Sequence, residues 1–219
     1  MKSKLIYLIG VLLFILIIIY SYSTNDQEYV LDAVISIIII SFVFFIRKHL
    51  NLTNIGVSLL IASLLFHDFG MFGFYNKTPI IMQYDHFTHL FGMFAVSVVI
   101  FSMFKQFFKK SRMINFILIL FIFVSTLGIG SLIEQIEYIG YLRFGTGQGL
   151  LRFGGLGDTP FDEKNLRAMD IVGGGWINTM LDLNYNFLGA FIGTTLMYLI
   201  NKFKLKKHIE DENGKSRAM

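Results

Sequence analysis

The sequence predicts an all-α integral membrane bundle of six transmembrane helices, and three observations lead to that prediction. Apolar runs of about 17 to 25 residues recur along the chain, which is the length that crosses a bilayer core as an α-helix. More than half of the 219 residues are hydrophobic, with only two Pro to interrupt the runs. The basic residues collect in alternate connections between the runs, as they do in polytopic membrane proteins.

The first three runs lie in the amino-terminal third of the chain. The first follows Lys2 and Lys4, as the core of a signal peptide would, but it is longer than such a core and no small-residue cleavage site follows. We therefore predict a retained helix. The second is an apolar run that stops at Arg47, and the third ends near His67 and Asp68. The predicted spans are residues 5–20, 29–46 and 52–74.

The other three runs carry polar groups close to one of their ends. The fourth opens on Tyr84-Asp85, the fifth closes on Glu134 and Glu137, and the sixth opens near Asp182. The predicted spans are residues 84–104, 113–139 and 176–200. Two amino-terminal helices (1–51) thus precede a four-helix core (52–201) with a long outer loop (141–175), and a basic tail (202–219) follows.

The distribution of Lys and Arg predicts the orientation. Of the 19 basic residues, 14 lie in the amino terminus, the second and fourth connections and the carboxyl-terminal tail. Because cytoplasmic segments carry the excess of Lys and Arg, both termini are expected in the cytoplasm of a prokaryote whose plasma (inner) membrane the chain crosses several times. The formal charge of +4 is not a nucleic-acid signature, because the basic residues lie mostly in these segments. No nucleic-acid partner is therefore expected, and the tail is expected to meet the anionic inner leaflet.

Three pairs of polar residues stand out in the apolar spans, because charged groups cost at least about 2.5 kcal/mol each at the centre of a membrane helix. Members of each pair are three or four residues apart and so share a helix face. The orientation places all three pairs toward the outer ends of their spans, which predicts one shared site. The pairs are Asp85 with His89, Glu134 with Glu137, and Asp182 with Asn186.

This set of donors suits a divalent metal ion. It offers carboxylate oxygen and imidazole nitrogen, and the chain has no Cys, so Zn, Mn, Fe or Mg are the candidates. The predicted ligands are Asp85, His89, Glu134, Glu137 and Asp182, with Asn186 orienting the site. An acid–base pair made by the clustered carboxylates is an equally open interpretation.

Several further residues are interpreted from their positions. His86, His67 and Asp68 are expected at the interface. Asn178 extends the stripe of Asp182 and Asn186, and Gly189 and Gly193 continue near it, where they would allow close helix approach. The Gly-rich outer loop carries Arg143, Arg152 and Arg167, which are predicted to bind an anionic group of a substrate.

The polar motifs resemble those of a known family. Tyr-Asp-x-x-x-His-x-x-Gly at 84–92, Glu-x-x-Glu-Tyr at 134–138 and Asp-x-x-x-Asn-x-x-Gly-Ala at 182–190 are similar to motifs of the YjdF-like family, small prokaryotic inner-membrane proteins of unknown function. VanZ-like proteins have a similar three-part order, and some are associated with glycopeptide resistance, which implies an envelope role. Asn178 stands where the YjdF-like pattern has Asp, and Glu137 where VanZ-like proteins favour Gln.

Three functions remain open at the level of sequence. The first is metal-dependent processing or binding of a lipid-linked or cell-envelope substrate, in which the ion would polarise a phosphoryl or carbonyl oxygen or activate water. The second is a structural or interaction subunit whose polar core only fixes helix packing. The third is a proton- or cation-coupled transporter. Whether the chain is an enzyme, and which oligomer it forms, is not indicated by the sequence.

Overall fold

The apolar runs form six α-helices in the part of the chain that the structure, a computed structural model, describes. That part comprises residues 2–24, 28–72, 74, 82–108, 111–144 and 174–217. It contains no strand, so the predicted all-α class is confirmed. The helices are α1 (Lys2–Thr24), α2 (Glu28–Ile46), α3 (Asn54–Asp68), α4 (Tyr84–Phe104), α5 (Arg112–Phe144) and α6 (Gly174–Arg217).

Five of these helices are long and apolar enough to cross a membrane, and α3 is the shorter one. Its 15 residues span about 22 Å at 1.5 Å per residue, less than the roughly 30 Å of a hydrocarbon core. The predicted third span, 52–74, is therefore a shorter helix followed by a 3-10 turn at Phe69–Phe72. Thr53 caps its start, because its side chain accepts a hydrogen bond from the amide of Gly56 at 3.1 Å.

Two helices extend beyond their predicted ends. Helix α5 continues to Phe144, so Arg143 lies in its last turn instead of in the outer loop. Helix α6 continues through the basic tail to Arg217 instead of ending near residue 200. Both extensions lack Pro, and the extension of α6 is rich in Lys and Glu, which are good helix formers. Hydropathy alone does not detect a polar helical extension of this kind.

The helices run in alternating directions. Tyr7 near the start of α1 meets Ser41 near the end of α2, with 3.0 Å between their hydroxyl oxygens. Thr53 at the start of α3 lies 3.4 Å from Ser102 at the end of α4. Alternation brings one end of every helix to the same side of the bundle. The ends of α1, α3 and α5 and the starts of α2, α4 and α6 therefore meet there, and we call this side the polar end.

The surface of the bundle is apolar where a lipid chain would cover it. Met113, Phe116, Ile117 and Leu120 on α5 are all exposed. Their spacing puts them on one helix face. In water such a continuous apolar face would be costly, so it is suited to hydrocarbon.

Helices α4 and α6 approach each other closely along a line of glycines. A Cβ at Gly189 would lie 2.1 Å from the carbonyl oxygen of Leu90, and one at Gly193 would lie 1.8 Å from the hydroxyl of Ser97. Neither distance is physically possible for a real side chain. The predicted close approach at Gly189 and Gly193 is confirmed, and it sets the separation of the two helices that carry His89 and Asn186.

We expect Gly189→Ala to destabilise the bundle by about 1–3 kcal/mol, because the new methyl group overpacks against the rigid backbone of α4. The free energy of unfolding in detergent–lipid micelles measures this change. Gly128→Ala is the matched control, since nothing lies within 4 Å of a Cβ at that position. Equal stabilities of the two variants would contradict the close packing of α4 on α6.

Candidate functional site

Three helices deliver polar side chains to one place near the polar end. Asp85 and His89 lie in the first two turns of α4, and Asp182 and Asn186 lie in the first half of α6. Glu134 comes from α5, about three turns before that helix ends. The alternating directions of the helices put these positions at similar depth, and the glycines of α6 let them come into contact. We call this group the His89 cluster.

One ring nitrogen of His89 faces α5 and α6. Its Nδ1 lies 3.2 Å from Oδ1 of Asn186 and 3.3 Å from Oε1 of Glu134. Asn186 in turn donates from Nδ2 to the same Glu134 oxygen at 3.3 Å. That bond fixes the amide so that its oxygen faces His89, and both atoms facing Nδ1 are therefore acceptors. We conclude that Nδ1 carries the proton and donates.

The other ring nitrogen faces two aspartates. Nε2 of His89 lies 3.7 Å from Oδ1 of Asp85 and 3.8 Å from Oδ1 of Asp182. With the proton on Nδ1, a neutral His89 presents the lone pair of Nε2 to this side. The imidazole thus has a donating side toward Glu134 and Asn186 and an accepting side toward the two aspartates.

Two sets of side chains could hold a metal ion, and His89 belongs to both. In each set the three donor atoms lie within 4.8 Å of one another. Ligands bound at about 2.1 Å to one ion lie about 3.0–3.4 Å apart in octahedral or tetrahedral geometry. The distances from Nε2 to the aspartates exceed this by a few tenths of an ångström, which small rotations would close. The sets are Asp85, His89 and Asp182, and His89, Glu134 and Glu137.

The cluster is almost completely shielded from solvent. Asp182 and Asn186 are at most 1% exposed and Glu134 is 3% exposed. The second carboxylate oxygen of Glu134, Oε2, is buried and makes no hydrogen bond among the described residues. A buried carboxylate oxygen without a partner is costly, so Glu134 retains the capacity to accept a proton or a hydrogen bond from a ligand.

The structure brings the sequence-predicted catalytic and metal-binding residues together, while their roles stay predictions. Asp85, His89, Glu134, Glu137, Asp182 and Asn186 all belong to the cluster or its donor sets. Of the predicted substrate-binding arginines, Arg143 is exposed on α5. Arg152 and Arg167 lie outside the described residues, as does the side chain of Asn178. His86 is buried and stacks on Tyr185, with ring centroids 4.4 Å apart.

A second polar cluster was not recognised in the sequence. Asp32 of α2 is buried, and one of its carboxylate oxygens lies 3.7 Å from Nε2 of His67 on α3. The neighbouring Asp68 is 0% exposed, whereas the sequence suggests an interfacial position. The missed signal was an Asp inside an apolar span, four residues before Ser36 on the same face. We call Asp32, His67 and Asp68 the His67 cluster.

Comparison with known proteins places most of the chain in one family. Residues 4–203 match the family described as "Predicted membrane protein (DUF2238)". The match is consistent with the resemblance to the YjdF-like family and does not extend to VanZ-like proteins. No curated protein and no solved structure matches the chain significantly.

We expect Asn186→Ala and Glu134→Ala to be energetically coupled, because each removes one end of the hydrogen bond that orients His89. A double-mutant cycle on the unfolding free energy should give a coupling of about 0.5–1.7 kcal/mol, the range of polar contacts between membrane helices. Asn201→Ala, on the same helix but more than three turns further along, is the control and should combine additively with Glu134→Ala. A coupling within error of zero for Asn186 would be incompatible with the network.

Proposed function

This chain belongs to the DUF2238 family of predicted membrane proteins, and we propose that its His89 cluster is a divalent-metal site that binds or processes a lipid-linked or cell-envelope substrate. The single observation that carries the proposal is the arrangement around one imidazole. Asp85 and Asp182 approach Nε2, while Glu134 and Asn186 occupy Nδ1. Histidines that bind metals have this pattern, in which the second ring nitrogen donates to a carboxylate or carbonyl that fixes the ring.

The hydrogen bond on Nδ1 favours one donor set over the other. If Nδ1 donates its proton to Asn186 and Glu134, only Nε2 has a lone pair for an ion. The favoured ligands are then Asp85, His89 and Asp182, and Glu134 becomes a positioning residue instead of a ligand. This refines the sequence-based ligand set, which included Glu134 and Glu137.

The charge of the cluster supports a cation as the ligand. Four carboxyl groups surround one imidazole, from Asp85, Glu134, Glu137 and Asp182. A single imidazolium cannot balance that many carboxylates in a low-dielectric interior, where unbalanced charges cost several kcal/mol each. A divalent ion at Nε2 would balance two of them and would polarise a phosphoryl or carbonyl oxygen.

The glutamates suit proton transfer. Oε1 of Glu134 is engaged by His89 and Asn186, and Oε2 is left without a hydrogen bond among the described residues. Glu137 lies one helical turn further along α5. We assign to Glu134, with Glu137 beside it, the role of a general base that accepts a proton from the nucleophile or ligand at the site.

The proposed substrate class follows from location. The cluster lies one to three turns inside the polar end, and the distribution of Lys and Arg predicts that this end faces outward from a prokaryotic inner membrane. The segment between Phe144 and Gly174 joins the two helices that carry Glu134 and Asp182, and it contains Arg152 and Arg167. Arginines there would suit a phosphate or carboxylate group.

A purely structural role is the principal alternative, because the same hydrogen bonds would fix helix packing. The observation that favours it is that Glu134, His89 and Asn186 already satisfy one another. The two roles differ in how they respond to a substitution that removes the charge of a carboxylate but keeps its shape. A packing role needs a hydrogen-bonding shape at each position, whereas a metal site needs the charge of its carboxylates.

We expect about one equivalent of bound metal in wild-type protein purified in detergent without chelator and then equilibrated with Mn²⁺ or Zn²⁺. Asp85→Asn and Asp182→Asn should lose it, because each removes a ligand charge. Glu134→Gln should retain binding with a dissociation constant raised about 10–100-fold, as for changes beside a ligand. Elemental analysis and equilibrium dialysis measure these quantities.

A histidine pair provides the matched control for metal binding. His89→Ala should abolish the increase in unfolding temperature that saturating metal gives to the wild type, where binding at 100 times the dissociation constant adds about 2.7 kcal/mol. His49→Ala removes an exposed histidine and should preserve that increase. Substoichiometric metal, equal in the wild type and in His89→Ala, would end the metal proposal.

The structural alternative predicts a different pattern at Asp182. If the cluster only fixes packing, Asp182→Asn should leave cellular function and stability near wild type, and Asp182→Leu should destabilise the fold by about 1–3 kcal/mol. If the cluster holds a metal, Asp182→Asn should abolish function while the protein stays folded. Complementation of a deletion strain, with circular dichroism of each purified variant, separates the two.

A further inference from the structure

The second polar cluster, on α2 and α3, has a chemistry of its own. Asp68 is the last residue of α3, and its side chain is 0% exposed. Neither of its carboxylate oxygens has a hydrogen-bond partner among the described residues. An ionised carboxylate in this situation loses its hydration and gains no hydrogen bond from the described residues in exchange. A cation or a proton that joins it offsets that loss.

A metal ion does not fit this place. Among the described residues, the sets whose donor atoms all lie within 4.8 Å of one another are the two around His89. Asp32, His67 and Asp68 do not form such a set, although Asp32 and His67 approach each other at 3.7 Å. The donors are too far apart for one ion to bind all three at about 2.1 Å. A proton needs only one oxygen.

We propose that the His67 cluster is a proton-binding site, in which Asp68 takes up and releases one proton in exchange with water at the polar end. On uptake an O–H bond forms on a carboxylate oxygen of Asp68, and on release that bond breaks and the proton returns to water. This proposal goes beyond the metal site at His89 and does not depend on it.

The charges of the cluster explain why one proton is bound. Two carboxyl groups and one imidazole lie close enough to interact electrostatically. If His67 is protonated and both aspartates are ionised, the cluster carries a net charge of −1 inside the bundle. One further proton on Asp68 makes it neutral, which the low-dielectric surroundings favour. The buried ion pair of His67 with Asp32 can then persist in both states.

The position of the cluster allows exchange with water. The side chain of Asp32 is 2% exposed, whereas that of His67 is 20% exposed. The side chain of His67 thus reaches the surface of the bundle, although its Nε2 is buried beside Asp32. Because α3 ends at Asp68, the carboxyl group lies near the polar end and not at the middle of the bundle.

The groups around the cluster are few and belong to four helices. Helix α3 packs on α1, α2 and α4. The hydroxyl of Tyr84 donates to the backbone carbonyl of Phe66 at 2.5 Å, next to His67. Asp85 is near enough to His67 to interact with its charge. Among the described residues, the titratable side chains on this side of the bundle include Tyr20 on α1, Tyr29 and Asp32 on α2, His67 and Asp68 on α3, and Tyr84, Asp85 and His89 on α4.

The test is infrared difference spectroscopy of the full-length protein between about pH 5 and pH 9, the range into which burial moves carboxyl groups. Measurements on a Glu134→Gln background remove one competing carboxyl group. We expect a protonated-carboxyl band that appears at acidic pH, lies at the high frequency of a carboxyl group without strong hydrogen bonds, and is lost in Asp68→Asn. A folded Asp68→Asn protein that keeps the whole band overturns the proposal.

Two further variants keep the test decisive if Asp68→Asn does not fold. Asp68→Glu keeps the carboxyl group but moves it by one methylene, so the midpoint of the same band must shift, and an unchanged midpoint overturns the proposal. His67→Gln removes a cation that favours the carboxylate and should raise the proton affinity of Asp68 about tenfold or more, which is one pH unit. His49→Gln, at an exposed histidine, should leave the midpoint unchanged.

Metal binding is measured separately on the same variants. Asp68→Asn should retain the metal content of the wild type, because none of its atoms belongs to the donor sets around His89. Loss of the infrared band with retained metal supports the proton site. Retention of the band in a folded Asp68→Asn protein contradicts it, whatever the metal content is. The two proposals can therefore fail independently.

Discussion

Carboxyl groups inside a membrane bundle must find their partners within the bundle, because hydrocarbon offers them none. In this protein one imidazole meets that requirement for several of them. His89 lies within 3.8 Å of Asp85, Glu134 and Asp182, and it shares a hydrogen bond with Asn186. These side chains come from three helices, so the contacts of His89 also fix the rotation of α4, α5 and α6 about their axes. The chemistry of the site and the packing of this half of the bundle therefore have a common cause.

The glycines of α6 make that contact possible. Gly189 and Gly193 leave no room for a side chain against α4, and Asn186 lies about one turn before the first of them and two turns before the second. A larger residue at either glycine would push the two helices apart. The hydrogen bond between His89 and Asn186, which is 3.2 Å long, would then be lost. Gly130 has a related role on α5, since a Cβ there would lie 3.0 Å from the amide nitrogen of Asn186. Residues without any functional group thus decide whether the functional groups can meet.

The two polar clusters lie at the same end of the bundle, and three buried hydroxyls toward the other end bond to their own helices. Ser97 donates to the carbonyl of Phe94, Ser102 to that of Val98, and Thr126 to that of Ile122. Such bonds satisfy a hydroxyl without a partner on another helix. With the ionisable groups of both clusters at one end, the arrangement gives less support to a pathway that crosses the membrane. A site for a ligand beside a site for a proton would let the protein combine binding with proton exchange on that face.

The sequence by itself determined the helical class, the number of apolar segments and the three pairs that form the His89 cluster. These features depend on local properties: helix α4 was expected at 84–104, and the structure has Tyr84–Phe104.

The tertiary structure alone decided which atoms meet. Nothing in the spacing of His89 indicates that Nδ1 faces Asn186 and Nε2 faces two aspartates, because that depends on the rotation and separation of three helices. It also decided that Asp32 and Asp68 are both buried. An Asp within or at the end of an apolar run can face lipid, water or a neighbouring helix, and its local sequence is the same in each case. Hydropathy is a property of a segment, whereas burial and hydrogen bonding are properties of the partners that the fold supplies.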